Sequence, residues 1–271
     1  MKSTTLFIFS AFVLLSSCNE KHDKNDNEKK DWVDRVTNKD HGPVRDKEFA
    51  GSFDEIEVSQ AIEAEIIKAE TEKVVISAPQ NILNEILVDI EGGKLHIHYK
   101  RGIRVMNTNK VTAKIYTKDF TKLVANSAAT IHVKDKFTQE KTDIEVSSAS
   151  TISGDLEAND FDITADSSGS FSGKVWAVDL NADASSAASI DLSGKAKNTD
   201  LNSSSAGSIS AKDFIADHVK AEASSGASVD VSASSTIEAD ASSGGSVNVY
   251  RKGNVTSVNK QESSGGSVNV Q

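Results

Sequence analysis

The sequence has a single cysteine, Cys18, in 271 residues. No disulfide can form within the chain, and a zinc site built from several thiolates is excluded. Proline is nearly as scarce, with two residues, and glycine stops at 16, which removes both a proline-rich linker and a collagen-like chain. Aromatics make up 6% of the chain and all hydrophobes 37%, little with which to fill a wide globular core. Positive charge is in the minority: 30 Lys and Arg against 40 Asp and Glu leave a formal charge of −10. Nucleic acid and anionic lipid both ask for clustered Lys and Arg, so neither is an expected electrostatic partner.

The first segment reads as an address. Lys2 precedes an apolar run of Leu6, Phe7, Ile8, Phe9, Ala11, Phe12, Val13, Leu14 and Leu15. A membrane helix needs roughly 20 such residues, so this run is too short to span. It ends in Leu15-Ser16-Ser17-Cys18, which resembles the lipobox of bacterial lipoproteins. That resemblance implies a signal peptide over 1–17, removal of it, and acylation of Cys18, each buried methylene then contributing ~0.8 kcal/mol of membrane anchoring. Residues 18–41 are expected to be the lipidated cysteine and a charged tether, since the stretch from Asn19 to Lys30 holds no hydrophobe. Asn19 stands where enteric lipoproteins retained at the inner membrane carry Asp. The expected location is therefore the outer membrane, at its periplasmic face or at the cell surface.

A repeat dominates the second half. Eight times the chain shows Ser, two small residues, Ser or Thr, then a hydrophobe. The hydrophobes are Ile131, Ile152, Phe171, Ile190, Ile209, Val229, Val247 and Val268, at spacings of 21, 19, 19, 19, 20, 18 and 21. Each repeat carries a second alternating stretch, such as Val178-Asp179-Leu180-Asn181-Ala182, and period two means strand. Ser, Gly, Asp and Asn crowd every window and disfavour helix. About 19–20 residues with short strands make one coil, and stacked coils share the core that no coil can bury alone. The fold expected is all-β, a right-handed parallel β-helix, the hand following from the preference of parallel crossovers. The serines four residues before each hydrophobe (Ser127, Ser148, Ser167, Ser186, Ser205, Ser225, Ser243 and Ser264) allow two readings. Strand alternation points them inward as a hydrogen-bonded ladder; turn chemistry puts them outside in bends. Alternation favours the ladder.

Residues 42–125 lack the serine signature but still alternate, and they are expected to form an N-terminal part of the solenoid with longer strands, before the repeats of 126–271. Gly92-Gly93 reads as a hairpin turn. Arg45, Phe49, Phe53, Asp54-Glu55-Ile56-Glu57-Val58, Leu95-His96-Ile97, Phe120-Thr121-Lys122-Leu123 and the Ser-Ala/Gly-Ser repeats together resemble the "putative auto-transporter adhesin, head GIN domain" family, common in lipoproteins of the Bacteroidetes. The resemblance covers about residues 43–271. It implies a β-helix and adhesion, and no catalytic residues.

Chemistry is sparse. His96 and His98 share a strand face at a spacing that can chelate metal, but two polar residues on an outer sheet face explain them as well, and no metal or other cofactor is expected. Asp155, Asp160, Asp162, Asp179, Asp191 and Asp230 are outward carboxylates of a kind that glycosidases pair across a bond. Every acidic solenoid shows such columns, and Arg251 is the sole arginine after residue 125. No catalytic residue is assigned. A cleft joining paired carboxylates to a basic residue would favour an enzyme; a flat open face would favour binding. An ice-binding face is disfavoured, because the outward neighbours of the repeat hydrophobes are mixed and not regular threonines. The favoured reading is a lipid-anchored envelope scaffold, an adhesin or binding protein for carbohydrate or envelope protein, with Asp191, Ser210, Asp230, Asn248 and Asn269 as its contact strip. A polysaccharide-active β-helix enzyme and a purely structural envelope protein are the alternatives. The Ser264 to Val270 repeat copies Ser243 to Val249 with no polar cap after it, so a second copy of the chain or another partner is expected to cover that coil edge.

Overall fold

The computed structural model describes residues 42–102 and 111–271. The expected signal peptide, Cys18 and the tether lie outside the described residues.

The repeats stack as parallel coils. In order they are β8 (Lys122–Asn126), β9 (Thr130–Val133), β10 (Phe137–Val146), β11 (Thr151–Ala165), β12 (Ser170–Ala184), β13 (Ser189–Ser203), β14 (Ser208–Ala223), β15 (Ser228–Ala241), β16 (Ser246–Arg251), β17 (Ser257–Glu262) and β18 (Ser267–Val270). The repeat hydrophobes fall into one register column, Ile131 on Ile152 on Phe171 on Ile190 on Ile209 on Val229 on Val247 on Val268. All eight are buried. A parallel β-solenoid with about 19 residues per coil is therefore the fold.

Within a coil the inward positions slip phase at the corners. In β11 the buried residues are Ile152, Leu156, Ala158, Phe161, Ile163 and Ala165. Alternation breaks after Ile152 and after Ala158, so one long strand bends around three faces. Glycine makes the first corner: a Cβ on Gly173 would lie 2.4 Å from the carbonyl oxygen of Gly154.

The repeated serines do not form the internal ladder that alternation favoured; they occupy the turns. Ser127, Ser148, Ser167, Ser186, Ser205, Ser225, Ser243 and Ser264 have φ between 48° and 56°, and the residue after each has positive φ too. Ser167, Ser186 and Ser205 are exposed. Two successive left-handed residues make a type I′ turn, closed by bonds such as Gly169 N–H to Asp166 O at 2.9 Å. The left-handed backbone turns the serine side chain outward, while the buried positions on either side, such as Ala165, Gly169 and Phe171, keep their even spacing. A left-handed non-glycine residue costs roughly 1–2 kcal/mol. Coil-to-coil backbone bonds offset this: Ala149, Ser168, Ala187 and Ala206 each donate 3.1 Å to the serine carbonyl of the next coil. Small residues two before the hydrophobe, such as Ala129, Ser150, Gly169 and Ala188, do point inward and are buried. A hydroxyl ladder exists, but outside, where Ser189 donates to Ser170 at 3.0 Å.

The front half caps the stack. It comprises β1 (Val44–Ala50), β2 (Glu55–Ser59), β3 (Glu63–Lys68), β4 (Lys73–Pro79), a 3-10 turn at Leu83–Glu85, β5 (Ile86–Glu91), β6 (Lys94–Tyr99) and β7 (Thr112–Thr117). β2 pairs in parallel with both β6 and β8, and β3 with both β7 and β9. The coil laid down first thus lies between two later ones. Antiparallel pairs β1–β4, β4–β7 and β5–β6 finish the end. These strands have 5–7 residues, against 14–16 in β11 to β15, so the longer strands expected here are in the repeats instead. Gly92 and Gly93, with φ of 60° and 86°, turn the β5–β6 hairpin.

At the opposite end, Lys260 and Glu262 stand in register with the inward Ala239 and Ala241. Glu262 accepts the Val268 amide at 2.7 Å and Lys260 donates to the Val268 carbonyl at 3.0 Å. Ser267 and Gln271 bond to the coil beneath, so the Val268 groups face away from the stack. The edge expected to be bare therefore carries its own charged cap, which counts against end-on pairing with a second copy.

Candidate functional site

The glycine corner leaves a concavity that runs along the stacking axis. One wall is the register column Glu65, His132, Ser153, Ser172, Asp191 and Ser210. The other includes Asp155, Lys174, Ser193 and Asp213, also in register. Two hollows of about 590 Å³ and 510 Å³ share Gly154 and Asp155 and so form one open groove. It crosses six coils, or about 24 Å at the usual strand spacing. Of the residues singled out in the sequence, Asp191 and Ser210 line it. Asp230, Asn248 and Asn269 continue the same column beyond it, linked by Asn248 to Asp230 at 2.8 Å and Asn269 to Asn248 at 3.0 Å.

Beyond the groove's second wall lies a column that the sequence reading passed over: Glu157, Trp176, Lys195, Ile215, Ser232 and Tyr250. Trp176 is 39% exposed and Ile215 41%. The ammonium groups of Lys195, Lys136 and Lys174 lie 4.5, 5.6 and 6.0 Å from the centre of the Trp176 ring, and that of Lys212 4.5 Å from Tyr250. Lys136 also pairs with Glu157 and holds that carboxyl below the usual carboxylate range. The available signal was Trp176 itself, one of two tryptophans, set at an outward position between Val175 and Ala177.

The face before the turn is an acid-amide surface. Asn181 donates to Asp162 at 2.9 Å and Asn198 to Asp179 at 2.6 Å. A shallow hollow of about 540 Å³ there is lined by Asp179, Asn198, Asp200, His218 and Lys220 among others. Burial, with the charges of Asp200 and Asp162, pushes the Asp183 carboxyl up against the pull of Asn202. The six carboxylates of the sequence reading are thus divided: Asp160, Asp162 and Asp179 stand on this face, Asp155 and Asp191 in the groove, and Asp230 beyond it. The groove does join carboxylates to basic residues, Lys174 and Lys212, but Asp155, Asp191 and Asp213 are all exposed to solvent along an open trough. It is neither the flat face nor the closed cleft.

His96 and His98 stack with ring centres 4.1 Å apart. His96 lies 3.1 Å from Ser59 Oγ, and His98 lies 2.9 Å from Asp89. Burial lowers the His96 pKa, opposed by Glu57. Among the described residues no group of three or more His, Cys, Asp or Glu is placed to hold a metal ion.

A family model described as "Putative auto-transporter adhesin, head GIN domain" matches residues 52–253. The chain belongs to this family. Solved structures similar to this head GIN chain include a "putative adhesin" from Parabacteroides merdae, 18% identical with a TM-score of 0.75, covering 85% of this chain and 97% of that one. A "putative adhesin" from Parabacteroides distasonis is 18% identical with a TM-score of 0.74, covering 83% and 98%. A "Putative lipid binding protein" from the same species is 16% identical with a TM-score of 0.64, covering 85% and 97%. At these identities the likeness is one of fold. No curated protein matches the chain.

Proposed function

We propose that this head GIN protein is an envelope scaffold, held at the outer membrane by lipid on Cys18, that binds an extended carbohydrate chain along its solenoid axis. The observation that carries the reading is the open polar groove with one wall from Glu65 to Ser210. Its donors and acceptors repeat once per coil, which suits a ligand that is itself a repeat. A linear glycan offers hydroxyls at a similar interval. Asp191 and Ser210 serve as contacts within the groove, and Asp230, Asn248 and Asn269 extend the strip.

The test is a glycan-binding screen of the full chain beside a Ser172→Phe variant, whose ring would fill the trough. Binding by the native chain that the variant loses supports the reading; equal binding by both overturns it. One observation favours a second reading, a polysaccharide-cleaving enzyme: Asp155, Asp191 and Asp213 share the groove with Lys174 and Lys212. New reducing ends released from a bound polysaccharide, and lost in Asp191→Asn, would put that reading first.

A further inference from the structure

We infer that the groove's ligand is an acidic polysaccharide, and that Trp176 with Lys174, Lys195 and Lys212 is the part of the surface that recognises its charge. The inference rests on the proposed glycan groove and names the class of glycan. In a chain of net charge −10, lysines gather along this lip. Lys134 pairs with Glu65 and Lys136 with Glu157, so those two are neutralised. Among the described residues, no carboxylate stands within ion-pair distance of Lys174, Lys195 or Lys212. Their ammonium groups instead lie by aromatic rings, Lys195 at 4.5 Å and Lys174 at 6.0 Å from Trp176, and Lys212 at 4.5 Å from Tyr250. An exposed ammonium over a ring gains only ~0.5–1 kcal/mol. Such a contact holds the lysine in place without cancelling its charge and gives way easily to an incoming carboxylate. The cost of ordering the side chain is then partly met before binding.

The spacing fits a polymer. Lys174 is on β12, Lys195 on β13 and Lys212 on β14, one free cation for each of three successive coils. At about 4.8 Å per coil, charges recur at close to the interval of sugar units in an extended chain. The half-exposed indole adds a flat apolar surface for the C–H face of a pyranose ring. Lys174 and Lys212 line the groove, which ties this patch to its wall.

A planar anionic membrane fits less well. It would approach Asp155, Asp191 and Asp213 together with the lysines, and like charge would oppose it. A narrow chain can set its acid groups toward the lysines and its hydroxyls toward those carboxylates, which accept hydrogen bonds.

The experiment is calorimetric titration of the full chain with polygalacturonate and with neutral dextran of matched length, at low and high salt, and sedimentation with phosphatidylglycerol vesicles. Polygalacturonate is expected to bind, to weaken with salt, and to lose about tenfold in affinity in Lys174→Gln/Lys195→Gln and in Trp176→Ala. Lys195→Arg is expected to retain binding. These side chains are exposed, and unchanged circular dichroism and melting would show that the variants fold. Equal binding of dextran overturns the charge reading and leaves the glycan groove standing. Binding of neither polymer overturns both. Lysine-dependent binding to vesicles, with none to polygalacturonate, overturns the inference in favour of a lipid surface.

Discussion

Thr199 shows what one hydroxyl costs in a repeated interior. Its inward column reads Phe161, Leu180, Thr199, Val219 and Ile237, and the Thr199 oxygen is buried with no hydrogen-bond partner. Leaving such a group unpaired costs about 1–3 kcal/mol. Thr199→Val keeps the shape and is expected to raise stability by about 1 kcal/mol in urea denaturation. His96 gives a pH signature. Its folded pKa lies below the ordinary value of 6.5, so below that pH the unfolded chain takes up a proton that the folded chain refuses. Stability is expected to fall as pH drops from 6.5 toward the folded pKa, and His96→Gln should flatten that slope in melting curves. At this scale the sequence revealed the eight core hydrophobes, because their spacing alone marks them. It did not reveal Trp176 as part of a surface cluster, because Lys136 and Lys195 come from other coils and meet it only through register.

The turn is the element on which alternation failed. Ile131 and its successors were legible because strand geometry runs unbroken through them. The serines four residues earlier are themselves the first of the two left-handed residues, so they point outward although the positions two and six residues before each hydrophobe except Val268 stay buried. Ser186, at φ of 51°, tests the conformation. Ser186→Gly removes the steric cost but frees the unfolded chain, and is expected to change stability by under about 1 kcal/mol. Ser186→Val places a branched side chain where it clashes and is expected to lose about 2 kcal/mol. The end coil is a second testable element. Lys260→Ala/Glu262→Ala exposes the Val268 amide and carbonyl, and sedimentation should show more self-association than in the native chain.

For the whole molecule, each repeat touches mainly the coil before and the coil after, so stability propagates along one dimension. Phe171 is buried in the middle of the stack, and Phe171→Ala should cost about 3–5 kcal/mol. Hydrogen exchange should be slowest in β11 to β14 and fastest in β17, whose residues are all exposed. The repeat half was legible as a stack because consecutive segments are neighbours. The front half was not, because β2 and β3 pair with β6 to β9 on both sides, and sequence order does not give that return path. The in-register columns also make the trough a ruler. Its walls are printed once per coil, so duplicating one unit of about nineteen residues would lengthen it by a single rung and leave every other rung in place. Deleting one would shorten it likewise. Selection could thus set how many ligand units are gripped by copy number alone, with no new side-chain geometry to invent.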